Sequence, residues 1–293
     1  MTNYWIFKFG DGENRSGVEF IGEDLGVRFT QARDQQSRYF VIPEVSVSID
    51  DKRIAVDADI RLPVDLGRKL TVFATQVLGA PEAERSWDFN VDADDISLSG
   101  WSRLLPGEKF FQSGVGDLEL AWAFRNGRVT NATAELDFID IAILDEEFFD
   151  ISGRVELDVS NDGWLVAADE LVIALADHKW PESDLRVEAS VDGEGRVVML
   201  DIRASYLNLD DLIALAPWLD AAPRQQLTDF APSGIVRDLV ATVSEIDSDE
   251  PRFNISVELD RVGIADAPSR PGIRGFSGLL RANRSGGRLE IGS

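Results

Sequence analysis

Alternation of apolar and polar residues with period two runs through most of this chain, and it restricts the fold more than any other feature. Leu118, Leu120, Trp122 and Phe124 alternate with Glu119, Ala121, Ala123 and Arg125. Successive side chains of a strand face opposite ways, so this pattern makes one apolar and one wet face. Asn126-Gly127 follows at once. That pair tolerates the positive φ angles of a type I′ hairpin turn, and a return strand opens at Arg128-Val129. Val155, Leu157 and Val159 alternate with Arg154, Glu156 and Asp158 before Ser160-Asn161-Asp162-Gly163 turns the chain into Trp164-Leu165-Val166. Leu185, Val187, Ala189 and Val191 lead through Asp192-Gly193-Glu194-Gly195 to Val197–Tyr206, and Phe253, Ile255, Val257 and Leu259 repeat the grammar near the end. Earlier strands are predicted at Val45–Ile49, Ile54–Leu62, Leu70–Leu78 and Trp87–Leu98. Turn residues separate neighbouring strands, so the economical expectation is a long antiparallel meander.

One stretch breaks the rhythm. Residues Asn208 to Phe230, NLDDLIALAPWLDAAPRQQLTDF, open on an Asn/Asp capping cluster and place Leu212, Ile213, Leu215 and Ala216 at helical spacing. Pro217 and Pro223 cut the stretch into short pieces. One or two short helices capping the sheet are expected over 208–230. How the sheet hides its apolar face is open at this level. A sandwich or barrel encloses it in protein, whereas an open, strongly curved sheet leaves an apolar trough.

Composition removes whole classes of function. The 293 residues include no Cys and a single His, His178. Thiol catalysis, disulfides, Cys-ligated zinc and iron–sulfur clusters are therefore excluded, as is a His-rich metal site. With 53 acidic and 29 basic residues the formal charge is −24. Nucleic acid and anionic lipid surfaces, which need a basic footprint, are poor partners for such a chain. Aromatic and β-branched residues are frequent throughout, unlike in a disordered acidic tail. The longest uncharged run, Leu70 to Pro81, is twelve residues, against the ~20 that span a bilayer. The N-terminal stretch lacks the apolar core of a signal peptide.

No catalytic or cofactor pattern stands out. The carboxylate clusters Asp92-Ala93-Asp94-Asp95, Asp145-Glu146-Glu147 and Asp210-Asp211 lack the spaced loop that fixes calcium geometry, and read as solvated turns and strand ends. His178 has Asp177 beside it, but no G-x-S-x-G elbow supplies a nucleophile, so it reads as a turn residue. Gly114-Val115-Gly116 lacks the third glycine of a phosphate-binding turn. Trp101, Trp122, Trp164, Trp180 and Trp218 are spread along the chain rather than gathered into a stacking platform, and read as packing residues. Neither a cofactor nor a metal is expected, and no enzyme activity.

From about Trp87 to Gly287 the chain resembles the AsmA-like region of the YhdP family of Gram-negative envelope proteins. The islands that carry the likeness include Asp95-Ile-Ser-Leu-Ser-Gly-Trp101, Gly116-Asp-Leu-Glu-Leu-Ala-Trp122, Phe149-Asp-Ile-Ser-Gly-Arg154 with Gly163-Trp164, and Lys179-Trp-Pro-Glu-Ser183. Ala204-Ser-Tyr-Leu-Asn-Leu-Asp-Asp211, Leu227-Thr-Asp-Phe-Ala-Pro-Ser-Gly234 and Pro271-Gly-Ile-Arg-Gly-Phe-Ser-Gly278 continue it. Residues before about 85 fit it less clearly. The resemblance implies a bridge-type lipid transporter, anchored in the inner membrane and extending through the periplasm as a groove of antiparallel strands.

On that basis the expected fold is mainly β: a long, curved antiparallel sheet, a groove or half-pipe of meandering strands, with one or two short capping helices. Residues 1–293 are expected to form one elongated β-groove region of a larger protein whose anchor lies elsewhere. The implied role is to shield phospholipid acyl chains in an apolar β-groove during transport between inner and outer membrane. Implied partners are phospholipid tails, the two membranes through other parts of the protein, and envelope proteins, with no nucleic acid. Leu118, Leu120, Trp122, Phe124, Val155, Leu157 and Val159 are the candidate groove residues. The alternatives are a non-catalytic envelope scaffold and a carbohydrate-binding β-protein.

Overall fold

The computed structural model describes residues 4–9, 17–30, 37–78, 86–104, 111–143, 149–212, 221–246, 248, 250–266 and 271–291. The first nine strands are β1 (Tyr4–Phe9), β2 (Gly17–Thr30), β3 (Ser37–Asp50), β4 (Arg53–Arg61), β5 (Lys69–Val77), β6 (Ser86–Ser97), β7 (Phe111–Arg125), β8 (Arg128–Ile143) and β9 (Phe149–Val159). They are followed by β10 (Gly163–Leu175), β11 (Ser183–Val191), β12 (Val197–Asn208), β13 (Ser233–Ser244), β14 (Arg252–Ile264), β15 (Ile273–Asn283) and β16 (Gly286–Ile291). Strand order in the sheet follows the sequence from β1 to β16, each terminal strand having one neighbour, so the sheet is an open antiparallel meander and not a closed barrel. Two short helices accompany it, α1 (Leu98–Leu104) and α2 (Ala221–Phe230). The mainly antiparallel β fold read from period two is thus the observed one. Asn126 and Gly127, at φ 50° and 78°, form the tight turn that their sequence promised.

The chain divides into two compact units, Met1–Asp158 with Ile173–Asp177, and Val159–Val172 with His178–Ser293. In the first, one end of the apolar sheet face carries a plug. Leu62 and Leu66, from the connection between β4 and β5, join Ala93, Ile96, Phe138, Ile141 and Ile143 of the sheet in a buried cluster. Leu98, Trp101 and Leu104 of α1 pack on it. Trp101 Nε1–H donates to the Leu66 carbonyl at 2.9 Å, and so does the Ser97 amide at 3.0 Å. Ser97 Oγ accepts from the Gly100 amide at 3.2 Å, which caps the helix start. Arg38, buried, ties the plug to β3 through Asp65 at 2.9 Å.

The second unit has a polar node instead. His178 Nε2 lies 2.8 Å from Asp211 Oδ2 and 2.9 Å from Asn208 Nδ2, and Trp180 Nε1–H donates to that same carboxylate oxygen at 2.6 Å. Trp180 is buried and meets Tyr206 edge-on at 5.4 Å between ring centroids. The node joins the β10–β11 connection to the end of β12, which is more than the turn role read for His178.

A backbone device recurs in both units. Asp95, Asp140, Glu170 and Arg261 interrupt β6, β8, β10 and β14 with positive φ between 52° and 55°. Each coincides with a register shift, so each is a bulge. In each case the bulged amide donates to a side chain on the next strand: Asp117 Oδ1 at 2.8 Å, Asp150 Oδ1 at 2.9 Å, Asp184 Oδ1 at 3.4 Å and Ser277 Oγ at 2.9 Å.

These contacts correct two of the carboxylate readings. The Asp92–Asp95 cluster lies within a strand and its last member sits in a bulge, not a turn. Asp211 is largely shielded within the His178 node. Residues 145–147 lie outside the described residues, as do 213–220 with Trp218, so of the helices expected over 208–230 only α2 is placed. Replacing Asp150 by Ala removes the acceptor of the Asp140 amide, and we expect a loss of about 1 kcal/mol in urea unfolding. Asp150→Asn, which keeps a side-chain oxygen, is expected to lose less than half of that. Equal losses would sink the acceptor role.

Candidate functional site

In the first unit the register aligns the apolar residues of successive strands into rows on one face. One row runs Val47, Val56, Ala74, Phe89, Trp122, Ala132, Leu157 across β3–β9. The next runs Val45, Ala58, Val72, Val91, Leu120, Ala134, Val155. A third, from β4, runs Ile60, Leu70, Ala93, Leu118, Leu136, Gly153. Directly opposed residues of antiparallel strands share a face, so the rows are a physical surface and not a pattern on paper.

Six of the seven candidate residues, from β7 and β9, belong to that face, but not to one environment. Leu118 packs against the buried plug cluster. Leu120, Trp122, Val155 and Leu157 are half-buried in the rows beyond it. Phe124 lies at the open end of β7, opposite Trp87, and is 37% exposed. Val159, the last residue of β9, falls in the second unit and is outside these rows. The second unit has comparable rows of its own. Val166, Val187, Ile202, Ala241, Ile255 and Ala282 align across β10–β15, beside Trp164, Ala189, Leu200, Val243 and Phe253.

Reading the tryptophans as scattered missed one gathering. Trp87 and Phe89 stack at 5.8 Å between ring centroids, and Phe89 stacks on Trp122 at 4.7 Å with planes 10° apart. Sequence separation hides this run, because only the β6–β7 register brings Trp122 opposite Phe89.

The opposite face is charged. Asp59, Thr71, Asp92, Glu119, Glu135 and Arg154 form its central row. Lys69 Nζ lies 2.9 Å from Asp59, and Thr71 Oγ1–H donates to the same oxygen at 2.9 Å. Those hydrogen bonds, the lysine's first, hold the Asp59 carboxyl below the ordinary carboxylate range and raise the lysine in turn. An open depression of about 350 Å³ lies here, with Thr71, Asn90, Asp92, Glu119, Glu135 and Arg154 in its lining beside Leu120 and Val91. Among the described residues, no group of three or more His, Asp or Glu side chains is placed to hold a metal ion, and no helix is long and apolar enough to cross a membrane.

The family model described as YhdP protein matches residues 18–293. The chain belongs to the YhdP family. The match begins well before Trp87, so β2–β5, whose likeness was unclear from sequence, belong to the same family pattern. No individual curated protein and no solved structure matches the chain. YhdP-family membership makes it an AsmA-like envelope protein, and the large open sheet agrees with that.

Proposed function

We propose that this YhdP-family chain is a non-catalytic periplasmic segment that shields phospholipid acyl chains on its apolar sheet face during transport between the inner and outer membranes. The observation that carries the reading is the set of aligned apolar rows across β3–β9, half-buried beyond the plug and backed by a charged opposite face. Acyl chains in water cost about 0.8 kcal/mol per CH₂, or roughly 20 kcal/mol for a two-tailed lipid. A continuous apolar surface lowers that cost without a catalytic group, a metal or a specific pocket. In the first unit the charged row of Asp59, Asp92, Glu119, Glu135 and Arg154 lies on the other face, where it keeps that side of the sheet in water.

The test is to purify the chain from a membrane-containing host under mild conditions and weigh it by native mass spectrometry. We expect adducts of phospholipid mass. A photo-crosslinking residue at position 120 or 122 should capture lipid, and one at 119 or 121 should not. A folded sample with no lipid adduct, or equal capture at the four positions, overturns the reading.

A further inference from the structure

The polar node of the second unit sets the chain's only histidine against a shielded carboxylate. Asp211 Oδ2 lies 2.8 Å from His178 Nε2 and also accepts from Trp180 Nε1–H at 2.6 Å. The Asp211 side chain is 14% exposed and the imidazole 34%, so protein screens the carboxylate while the ring still exchanges protons with water. Nε2 has a second neighbour, Asn208 Nδ2 at 2.9 Å. That amide is oriented by its own Oδ1, which accepts from the Asp210 amide at 3.3 Å. In a neutral imidazole the two contacts compete, because an Nε2–H serves the carboxylate and a bare Nε2 serves the amide donor. A protonated ring carries hydrogen on both nitrogens. That commits Nε2 to Asp211 and adds the opposite charge that makes the contact an ion pair.

The surroundings favour that proton. Asp177 and Lys179 flank the ring on its own connection, and Asp210 precedes Asp211 beyond the end of β12. Past Trp180 and Tyr206, the Arg237 guanidinium lies 6.0 Å from the Tyr206 ring centroid and pairs with Asp260 at 3.1 Å. Carboxylates outnumber cations among these groups, and nearby negative charge favours the protonated imidazole. The node also gathers strand ends. Asp210 Oδ2 accepts from the Gly234 amide at 2.9 Å, and the Leu209 amide donates to the Gly234 carbonyl at 2.9 Å. The β10–β11 connection is thereby tied to the end of β12, and that end to the start of β13. We propose that protonation of His178 tightens this clamp, so that the second unit is held more firmly in mildly acidic than in mildly alkaline surroundings. The unfolded chain offers the imidazole no such partner, so the folded state binds the proton more strongly. The added stability is fully present below the ordinary imidazole value of about 6.5 and fades as pH rises above it. The clamp is independent of what lies on the apolar rows.

A single histidine gives a single imidazole signal, so an NMR titration of the full chain reads His178 directly. We expect its proton affinity to fall about tenfold in Asp211→Asn, which keeps an acceptor oxygen for Trp180. The urea midpoint of the wild type should rise from about pH 8 to about pH 6, a range in which no other side chain ordinarily changes charge. His178→Gln, whose amide can donate to Asp211 without titrating, should lose that rise. Amide protection, corrected for the intrinsic pH dependence of exchange, should increase over the same range in 178–183 and 208–211 and not in the β7–β8 hairpin. Equal proton affinity in the wild type and Asp211→Asn, or a rise in midpoint that survives in His178→Gln, overturns the inference. If Asp211→Asn does not fold, the wild-type and His178→Gln midpoints decide it.

Discussion

Leu120→Asp is expected to leave the protein folded and to abolish most of its lipid binding. Leu120 is half-buried in the row between Val91 and Ala134 and, unlike Leu118, is not among the residues packed on the buried plug cluster. A carboxylate on an acyl-chain path costs about 3 kcal/mol where an aliphatic group gained, so lipid capture should fall to under about a tenth of wild type. The neighbouring position supplies the contrast. Leu118 packs against the cluster of Leu62, Leu66, Ala93 and Ile96. Leu118→Asp buries a charge against apolar side chains and should cost about 3 kcal/mol or more of stability. The pair is read by urea unfolding and by lipid adducts in native mass spectrometry. If Leu120→Asp unfolds the chain as Leu118→Asp does, the rows are a closed core and the acyl-chain reading fails. If it keeps both fold and lipid, the tails lie elsewhere.

The difference between these two leucines marks how far the sequence was legible. Period two identified the strands, and Asn126-Gly127 identified a hairpin, because both are local consequences of backbone geometry. Alternation also placed Leu118 and Leu120 on one face. It carried no information on what covers that face, since the cover comes from residues 62–66 and α1, distant in sequence. The helix itself was unreadable for a related reason. Seven residues with a glycine in the middle have little intrinsic helicity, and α1 exists because Ser97 caps it and Trp101 reaches Leu66. The bulges were hidden because αL conformation is unusual for Asp and Glu, and is held here by acceptors on the next strand. Those acceptors are some of the carboxylates that looked like surplus surface charge. The wider likeness had the opposite character: weak islands in fixed order identified the family where no single motif did.

Gly100→Ala is expected to be among the most damaging glycine-to-alanine substitutions at the described glycines. A Cβ on Gly100 would stand 1.7 Å from the Asp65 carbonyl oxygen and 2.8 Å from its carbonyl carbon. Both atoms belong to backbone, so no rotamer change relieves the clash. Either α1 lifts off the sheet or the connection holding Leu62 and Leu66 moves, and each loses the Trp101–Leu66 hydrogen bond and the packing of the buried cluster. Overpacking usually costs about 1–3 kcal/mol, and a backbone clash this close belongs at the upper end or above it. Gly127→Ala provides the scale, because that glycine has open space around it and only its φ of 78° resists a side chain, a penalty of about 1 kcal/mol. Urea midpoints for the two variants should therefore differ severalfold in their displacement from wild type. Amide exchange in Gly100→Ala should accelerate at Ser97 and Leu66, whose hydrogen bonds hold the plug. Equal midpoints for the two variants would mean that α1 rests on the sheet without being fixed there, and that the row through Leu118 is open like the rows beside it.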